Sequence, residues 1–426
     1  MKGTNKKWKG ILGMLLTVCM LIGLAGCGEE KIIPEDYNEG NCGNLFMNPI
    51  MKTDSGFYYS QSIYNNLSLH YYDSANGNSM YLCNKPECRH DGNEFCAATS
   101  DKFNVMETVL YSGSLYINVF EGTEKTFEYK LLKAALDGSS LSEVVTYLTI
   151  DNVGIEPFNI SPISRNMVIH RNKIFLPYTF RNASNYDISF TGTAIYDMDT
   201  GKLSTLGEEK QDSSLINGRF NGNGDYMYYV EKGKYKSDLY RYCYADRTVE
   251  KLEIAKNFKG AYTLCGETKV FYTVGNSELY ILDLTTGENT KVKTDEWADI
   301  HEDRGLGYGI GDMVSDDEYV YYCQNYSFHD FYLPASMLSY SGMWDRAMIY
   351  ITDGEGNLIN RVDFNTTEVL GYSDYFTLHF CGDTIYMQTP KMVYACSRKS
   401  FIAGEPAFEA VYAMDIAINS TEGLTE

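Results

Sequence analysis

The stretch Gly224-Asp225-Tyr226-Met227-Tyr228-Tyr229 sets two turn-forming residues before four of high strand propensity, three of them tyrosine. The same phrase, a small or polar turn and then an aromatic strand, occurs six more times. Upstream it reads Ser55-Gly56-Phe57-Tyr58-Tyr59, Ser112-Gly113-Ser114-Leu115-Tyr116 and Arg171-Asn172-Lys173-Ile174-Phe175. Downstream it reads Gly266-Glu267-Thr268-Lys269-Val270-Phe271, Asp316-Asp317-Glu318-Tyr319-Val320-Tyr321 and Gly382-Asp383-Thr384-Ile385-Tyr386. The key aromatics fall at 58, 116, 175, 228, 271, 321 and 386, in steps of 43 to 65 residues. That spacing suits four-stranded blades with loops of varied length.

A second phrase follows most copies: an aromatic or aliphatic strand end, an Asp, and a turn containing Gly. It is seen at Tyr72-Asp73 to Gly77, Leu136-Asp137-Gly138, Tyr196-Asp197 to Gly201, Leu282-Asp283 to Gly287 and Thr352-Asp353-Gly354. Arg241-Tyr242 through Asp246 is a degenerate copy. Asp and Gly supply the chemistry of a hairpin between the last two strands of a blade.

Strands rich in Tyr, Val, Ile and Phe, with no sustained helical period, predict an all-β chain. A repeat of this kind cannot cover its own two faces, so its neighbours must. The expectation is a single β-propeller over residues 43–418, of seven four-stranded blades, with six or eight also compatible. Two β-sandwiches are the competing architecture. The Trp-Asp ending of WD40 repeats and the double glycine of kelch repeats are both missing.

Outside the repeats, Lys2, Lys6, Lys7 and Lys9 form a basic start, and an apolar run follows from Ile11 to about Ala25. The run is short of the roughly 20 apolar residues of a spanning helix and reads as a signal segment. It closes on Leu24-Ala25-Gly26-Cys27, which resembles the lipobox of bacterial lipoproteins. The resemblance implies cleavage of signal peptide 1–26, a diacylglyceryl thioether on Cys27 and a further acyl group on the new amine, and two or three chains anchor stably where one does not. Residues 27–42 then form the lipidated cysteine and a polar tether, and 419–426 a C-terminal tail. The expected address is the extracytoplasmic face of the cell membrane.

With the signal removed, 32 basic residues face 57 acidic ones, a net charge of −25. Such a surface repels nucleic acid, whose binding rests on neutralising phosphates. It also keeps the domain off anionic lipid.

The sharpest local motif is Cys83-Asn84-Lys85-Pro86-Glu87-Cys88-Arg89-His90-Asp91-Gly92-Asn93-Glu94-Phe95-Cys96. Three thiols and an imidazole within 14 residues form a legitimate tetrahedral shell for structural zinc. In an oxidising compartment two of the thiols could instead form a disulfide, the third pairing with Cys42. Free thiols are the third reading. Cys243, Cys265, Cys323, Cys381 and Cys396 stand in or beside predicted strands and read as isolated buried thiols.

The segment Leu82-Cys83-Asn84-Lys85-Pro86-Glu87-Cys88-Arg89-His90, ending in Cys96, is similar to one in a group of uncharacterised β-propeller-like lipoproteins of Gram-positive, often anaerobic bacteria. With the lipobox and the aromatic blades, the likeness covers most of the mature chain. It implies the architecture and the address, and it brings no activity.

No nucleophile elbow, phosphate loop or metalloprotease helix motif occurs. Gly307-Tyr308-Gly309-Ile310-Gly311 reads as a loop. His70, His170, His301, His329 and His379 read as scattered strand or rim residues, and Asn221 to Asp225 as a blade turn rather than a calcium loop. Most of the 37 tyrosines are expected to pack between blades. The long insertion after the sixth aromatic strand is the candidate ligand-binding loop, through Tyr326, Phe328, His329, Phe331, Tyr332, Tyr340 and Trp344. Its aromatics would stack on sugar or peptide, or else form a lid over the propeller itself.

The preferred functional expectation is a membrane-anchored binding or scaffold lipoprotein whose ligand is a protein, peptide or glycan. An extracytoplasmic glycan-acting enzyme and a sensor or assembly factor for a membrane partner are the alternatives. No catalytic residue is assigned.

Overall fold

In the strand Tyr226–Lys232, successive side chains point to opposite faces. Tyr228 and Val230 pack against Phe258, Tyr262 and Tyr272 on one side. Met227 and Tyr229 pack against Phe175 and Ile195 on the other. Both faces of the sheet are therefore buried, which is why such strands are apolar throughout rather than alternating.

The same arrangement recurs around the chain. A computed structural model describes residues 43–44, 50–63, 66–90, 96, 104–122, 126–151, 155–157, 167–182, 188–207, 210–211, 216–232, 237–275, 278–293, 310–316, 318–325, 346–365, 376–389 and 392–413. Seven antiparallel sheets follow in chain order, at 51–81, 104–151, 155–211, 216–251, 258–291, 310–365 and 377–413. They form a seven-bladed all-β propeller, as expected. First strands of neighbouring blades approach one another, as Val168–His170 does Ile216–Asn223 and Phe258–Cys265 does Ile310–Ser315. Fourth strands such as Lys202–Thr205 and Asn289–Lys291 are exposed along their length. Each blade thus runs from the inside outward. Seven apolar clusters fill the seven seams, one for each pair of neighbouring blades.

The predicted turns lie where expected. Ser112 and Gly113 both have positive φ, 45° and 68°, the geometry of a two-residue hairpin turn. In the outer hairpins the Asp carboxylate accepts from backbone N–H groups two or three residues on. Asp73 accepts from Ala75, Asp137 from Ser139, Asp197 from Asp199 and Thr200, and Asp246 from Thr248. Asp283 and Asp353 repeat the pattern with Thr285, Thr286 and Glu355.

Three features depart from a plain seven-by-four pattern. The third blade adds two short strands, Ile155–Pro157 and Lys210–Gln211. In the last blade the helix Arg398–Ile402, capped by Ser397, stands between the third and fourth strands. Strand Gly43–Asn44 pairs with the first strand of that same blade, Thr377–Cys381, so the two ends of the propeller meet. Ile310 and Gly311 open the sixth blade, so the glycine run read as a loop ends in a strand. The signal segment, Cys27, the tether and the tail 419–426 lie outside the described residues.

Polar side chains cross every seam. Tyr58 donates to the Leu136 carbonyl from blade 1 to blade 2 (2.8 Å), and Tyr111 to Asn172 Oδ1 from 2 to 3 (2.7 Å). His170 Nδ1 shares a 2.6 Å hydrogen bond with Tyr244 from 3 to 4, and Tyr262 donates to the Tyr228 carbonyl from 5 to 4 (2.9 Å). Lys269 donates to the Gly354 carbonyl from 5 to 6 (3.0 Å), and Arg398 lies 2.9 Å from Asp316 between 7 and 6. Tyr72 donates to the Val411 carbonyl from 1 to 7 (3.1 Å), closing the ring.

Candidate metal centre

The cysteine motif begins where the outermost strand of the first blade, Asn78–Tyr81, ends. Leu82 is buried and donates its N–H to the Leu69 carbonyl, which seats the following residues on the seam with the second blade. The chain then turns over Lys85 to Cys88, with the Cys88 N–H donating to the Lys85 carbonyl at 3.1 Å. Pro86, second in that turn, presets the required φ. His90 has φ 53°, a left-handed conformation uncommon away from glycine, and it aims the imidazole back at the sulfurs.

The donor atoms of Cys83, Cys88, His90 and Cys96 all lie within 4.8 Å of one another. His90 Nδ1 is 3.5 Å from Cys96 Sγ. Cys96 is buried and the other three half-buried. Burial, and then the Cys88 and Cys96 sulfurs, push the Cys83 thiol up, while the Lys85 backbone N–H pulls the other way. A bound cation reverses that balance, because it favours thiolates. None of Cys83, Cys88 and Cys96 is in a disulfide. Soft sulfurs and one imidazole, gathered at this spacing, fit a four-coordinate zinc shell with no open position.

The shell has supports that the motif alone did not reveal. The Tyr81 ring stacks on His90, centroids 4.5 Å apart and planes at 21°. Tyr81 also meets His70, 4.5 Å away, and His70 stacks on buried Tyr59 at 5.2 Å. Gly138, in the outer hairpin of the second blade, has φ 67°, and a Cβ there would stand 2.6 Å from the Leu82 carbonyl oxygen. Only glycine lets the two backbones meet so closely. Cys83 and Cys88 themselves pack on the apolar cluster shared by the first two blades. The centre is therefore placed to clasp the first two blades together.

The other sequence candidates divide clearly. His70, His170 and His379 are buried in the strands and bonded to Ser68, Tyr244 and Gln388. Asn223 donates to the Gly266 carbonyl, and Asp225 pairs with Arg171 across a seam, as befits a turn. Cys243, Cys265 and Cys396 are in no disulfide; Cys265 and Cys396 are buried as expected, whereas Cys243 is half-buried. Cys381 is disulfide-bonded, a correction to its reading as an isolated thiol. Its strand has no nearby cysteine in sequence, so nothing local signalled a bond. Cys42, His301, His329 and the aromatic loop residues Tyr326, Phe328, Phe331, Tyr332, Tyr340 and Trp344 lie outside the described residues.

No protein-family model matches the chain, and none of the curated proteins matches it. Among solved structures, one from a mechanistic study of two prolyl endopeptidases is similar, at TM-score 0.53 and 10% identity, over 88% of this chain and 50% of that one. A puromycin-hydrolysing peptidase of Mycobacterium tuberculosis is similar at TM-score 0.48 and 10% identity, over 81% and 50%. The β-propeller domain of the Trilobed protease of Pyrococcus furiosus is similar at TM-score 0.44 and 12% identity, over 83% and 93%. The chain spans about half the length of the first two. At these identities the likeness concerns the fold alone.

Proposed function

We propose that this chain is a lipid-anchored binding scaffold on the outer face of the cytoplasmic membrane, with a structural zinc ion held by Cys83, Cys88, His90 and Cys96. The observation that carries the reading is the use of polar groups at the seams. All seven junctions are tied by hydrogen bonds from Tyr, His, Lys or Arg, which makes the ring a stiff frame for its loops. Stiff frames with variable loops suit recognition. The lipobox at Cys27 supports the anchor. The disulfide at Cys381 supports an oxidising compartment. Zinc at the Cys3His shell would keep three thiols from oxidising there and lock the first two blades together.

The ligand face in this reading is the aromatic segment from Tyr326 to Trp344, and the ligand a peptide, protein or glycan. The fold likeness to peptidases brings no peptidase activity with it. The test is native mass spectrometry of the chain extracted from membranes without chelator. One zinc per chain, an acylated Cys27 and a co-purified ligand lost in a Tyr332→Ala/Trp344→Ala variant are expected. A water-soluble, unacylated Cys27 chain would end the anchor reading. Retention of the ligand by the double variant would end the loop assignment.

A further inference from the structure

We propose that Tyr81 is a positioning residue for His90, and that the row of rings it belongs to carries metal binding from the Cys3His cluster to the closing seam of the propeller. The proposal rests on the zinc reading above and adds to it a control over ring closure. Tyr81 lies between two imidazoles. Its centroid is 4.5 Å from that of His90, with planes at 21°, and 4.5 Å from that of His70, with planes at 36°. His90 in turn presents Nδ1 to the Cys96 sulfur at 3.5 Å. Tyr81 stands on the outermost strand of the first blade and is 37% exposed, so its place is set by the two imidazoles more than by a surrounding core.

Strand register explains the row. Tyr59 is directly opposite His70, and His70 directly opposite Tyr81. Opposed residues share a face of the sheet. For these three it is the face towards the last blade, where Tyr59 and Tyr72 fill the closing seam. Tyr59 stacks on His70 at 5.2 Å and meets Tyr412 of the last blade at 5.7 Å. Tyr412 meets Tyr72 at 5.4 Å, and Tyr72 makes the hydrogen bond that closes the ring. Ser68 and Ser79 hold the row in place, at 2.8 Å from His70 Nε2 and 2.7 Å from the Tyr59 hydroxyl. Cys83 and Cys88 pack on the opposite face, towards the second blade. The cluster therefore grips both faces of the first blade around its outer edge.

A cation bound by His90 draws electron density out of the imidazole, and the electron-rich face of the Tyr81 ring is attracted to it. The stack is thus stronger with metal than without. By linkage, the stack holds the metal as much as the metal holds the stack. Metal loading pins the outer end of the row, and metal loss frees it. His70 and Tyr59 then pack less firmly, and the closing seam loosens with them.

The test is hydrogen exchange on the full chain, zinc-loaded and chelator-treated, with zinc measured in every sample. In the wild type, chelation should speed exchange severalfold in the strand Glu409–Ala413 of the last blade, and leave Asn289–Lys291 of the fifth blade unchanged. Tyr81→Phe should behave as the wild type. Tyr81→Leu should release zinc to a chelating dye up to about tenfold faster, the worth of one aromatic pair. In that variant chelation should no longer reach Glu409–Ala413. A zinc-loaded wild type whose exchange at Glu409–Ala413 ignores chelation overturns the proposal and leaves the zinc reading standing. A wild-type release rate in Tyr81→Leu overturns the role of Tyr81. A wild type without zinc ends both readings. The wild-type comparison is decisive even if Tyr81→Leu fails to fold.

Discussion

Tyr72 of the first blade donates its phenolic hydrogen to the Val411 carbonyl of the last, 3.1 Å away and 339 positions along the chain. The contact does for the closing seam what Tyr58 does for the first, where the acceptor is Leu136 at 2.8 Å. At both of these seams a tyrosine ring packs among the apolar side chains while its hydroxyl finds a backbone carbonyl at the edge.

Tyr72→Phe should therefore weaken the ring at its closure. Removing one such hydrogen bond costs about 0.5–1.5 kcal/mol. Thermal unfolding should shift down yet remain a single transition, because each blade depends on both neighbours for its core. Two separated transitions would contradict the closed ring. Calorimetry reads both.

Gly138→Ala should be more damaging than its size suggests. The site has φ 67° and stands against the Leu82 carbonyl. Alanine in a left-handed conformation, with a backbone collision added, should cost more than about 1 kcal/mol. Because Leu82 leads into Cys83, the variant should also release zinc faster to a chelating dye. A wild-type release rate would separate the hairpin from the centre.

Cys88→Ala should remove the metal. Zinc per chain should fall from one towards zero, and the melting temperature should fall to that of the chelator-treated wild type. An unchanged metal content would end the zinc reading.

Acid should strip the outer hairpins of a common stabiliser. The Asp283 carboxyl is held below the usual carboxylate range by hydrogen bonds from the Thr286 and Thr285 backbone N–H groups. With the folded value depressed, its contribution is present above the ordinary carboxylate pKa and lost as pH falls through the folded one. The melting-temperature gap between wild type and Asp283→Ala should close between neutral pH and strong acid. A gap independent of pH would assign the effect to something other than the carboxylate.

Alkali should act through the seams. Burial, then Tyr71 and Asp137, push the Tyr58 hydroxyl up to about 12, and burial also raises Tyr129, Tyr229 and Tyr321. Groups with raised folded values stabilise the fold below the unfolded tyrosine pKa, about 10. That stability is lost as pH rises past it. The protein should unfold cooperatively above about pH 10, with tyrosinate absorbance rising together with the loss of ellipticity. Titration of most tyrosines before unfolding would contradict their burial in the seams.

The turns and second strands were legible because their signals are local. An Asp at a strand end, with Gly or Thr just beyond, meets its own N–H donors within three residues, as at Asp197 and Asp283. The four members of the Cys3His cluster were legible for the same reason. The helix Arg398–Ile402 was not, nor the reach of Arg398 to Asp316. Five residues carry no helical period, and an ion pair between blades has no sequence signature. Blade number, too, follows from closure, which no single repeat encodes.

The chain's own sequence thus determined the repeated two-faced strands, the turns between them, and a Cys3His set close enough to converge. Those features depend on near neighbours and on side-chain alternation. Only the tertiary structure decided that the ring closes at seven, that Gly138 backs the Leu82–Cys83 segment, and that Cys381 is disulfide-bonded. Each of these joins positions far apart in the chain, and such contacts exist only once blades pack on both neighbours and bring the two ends together.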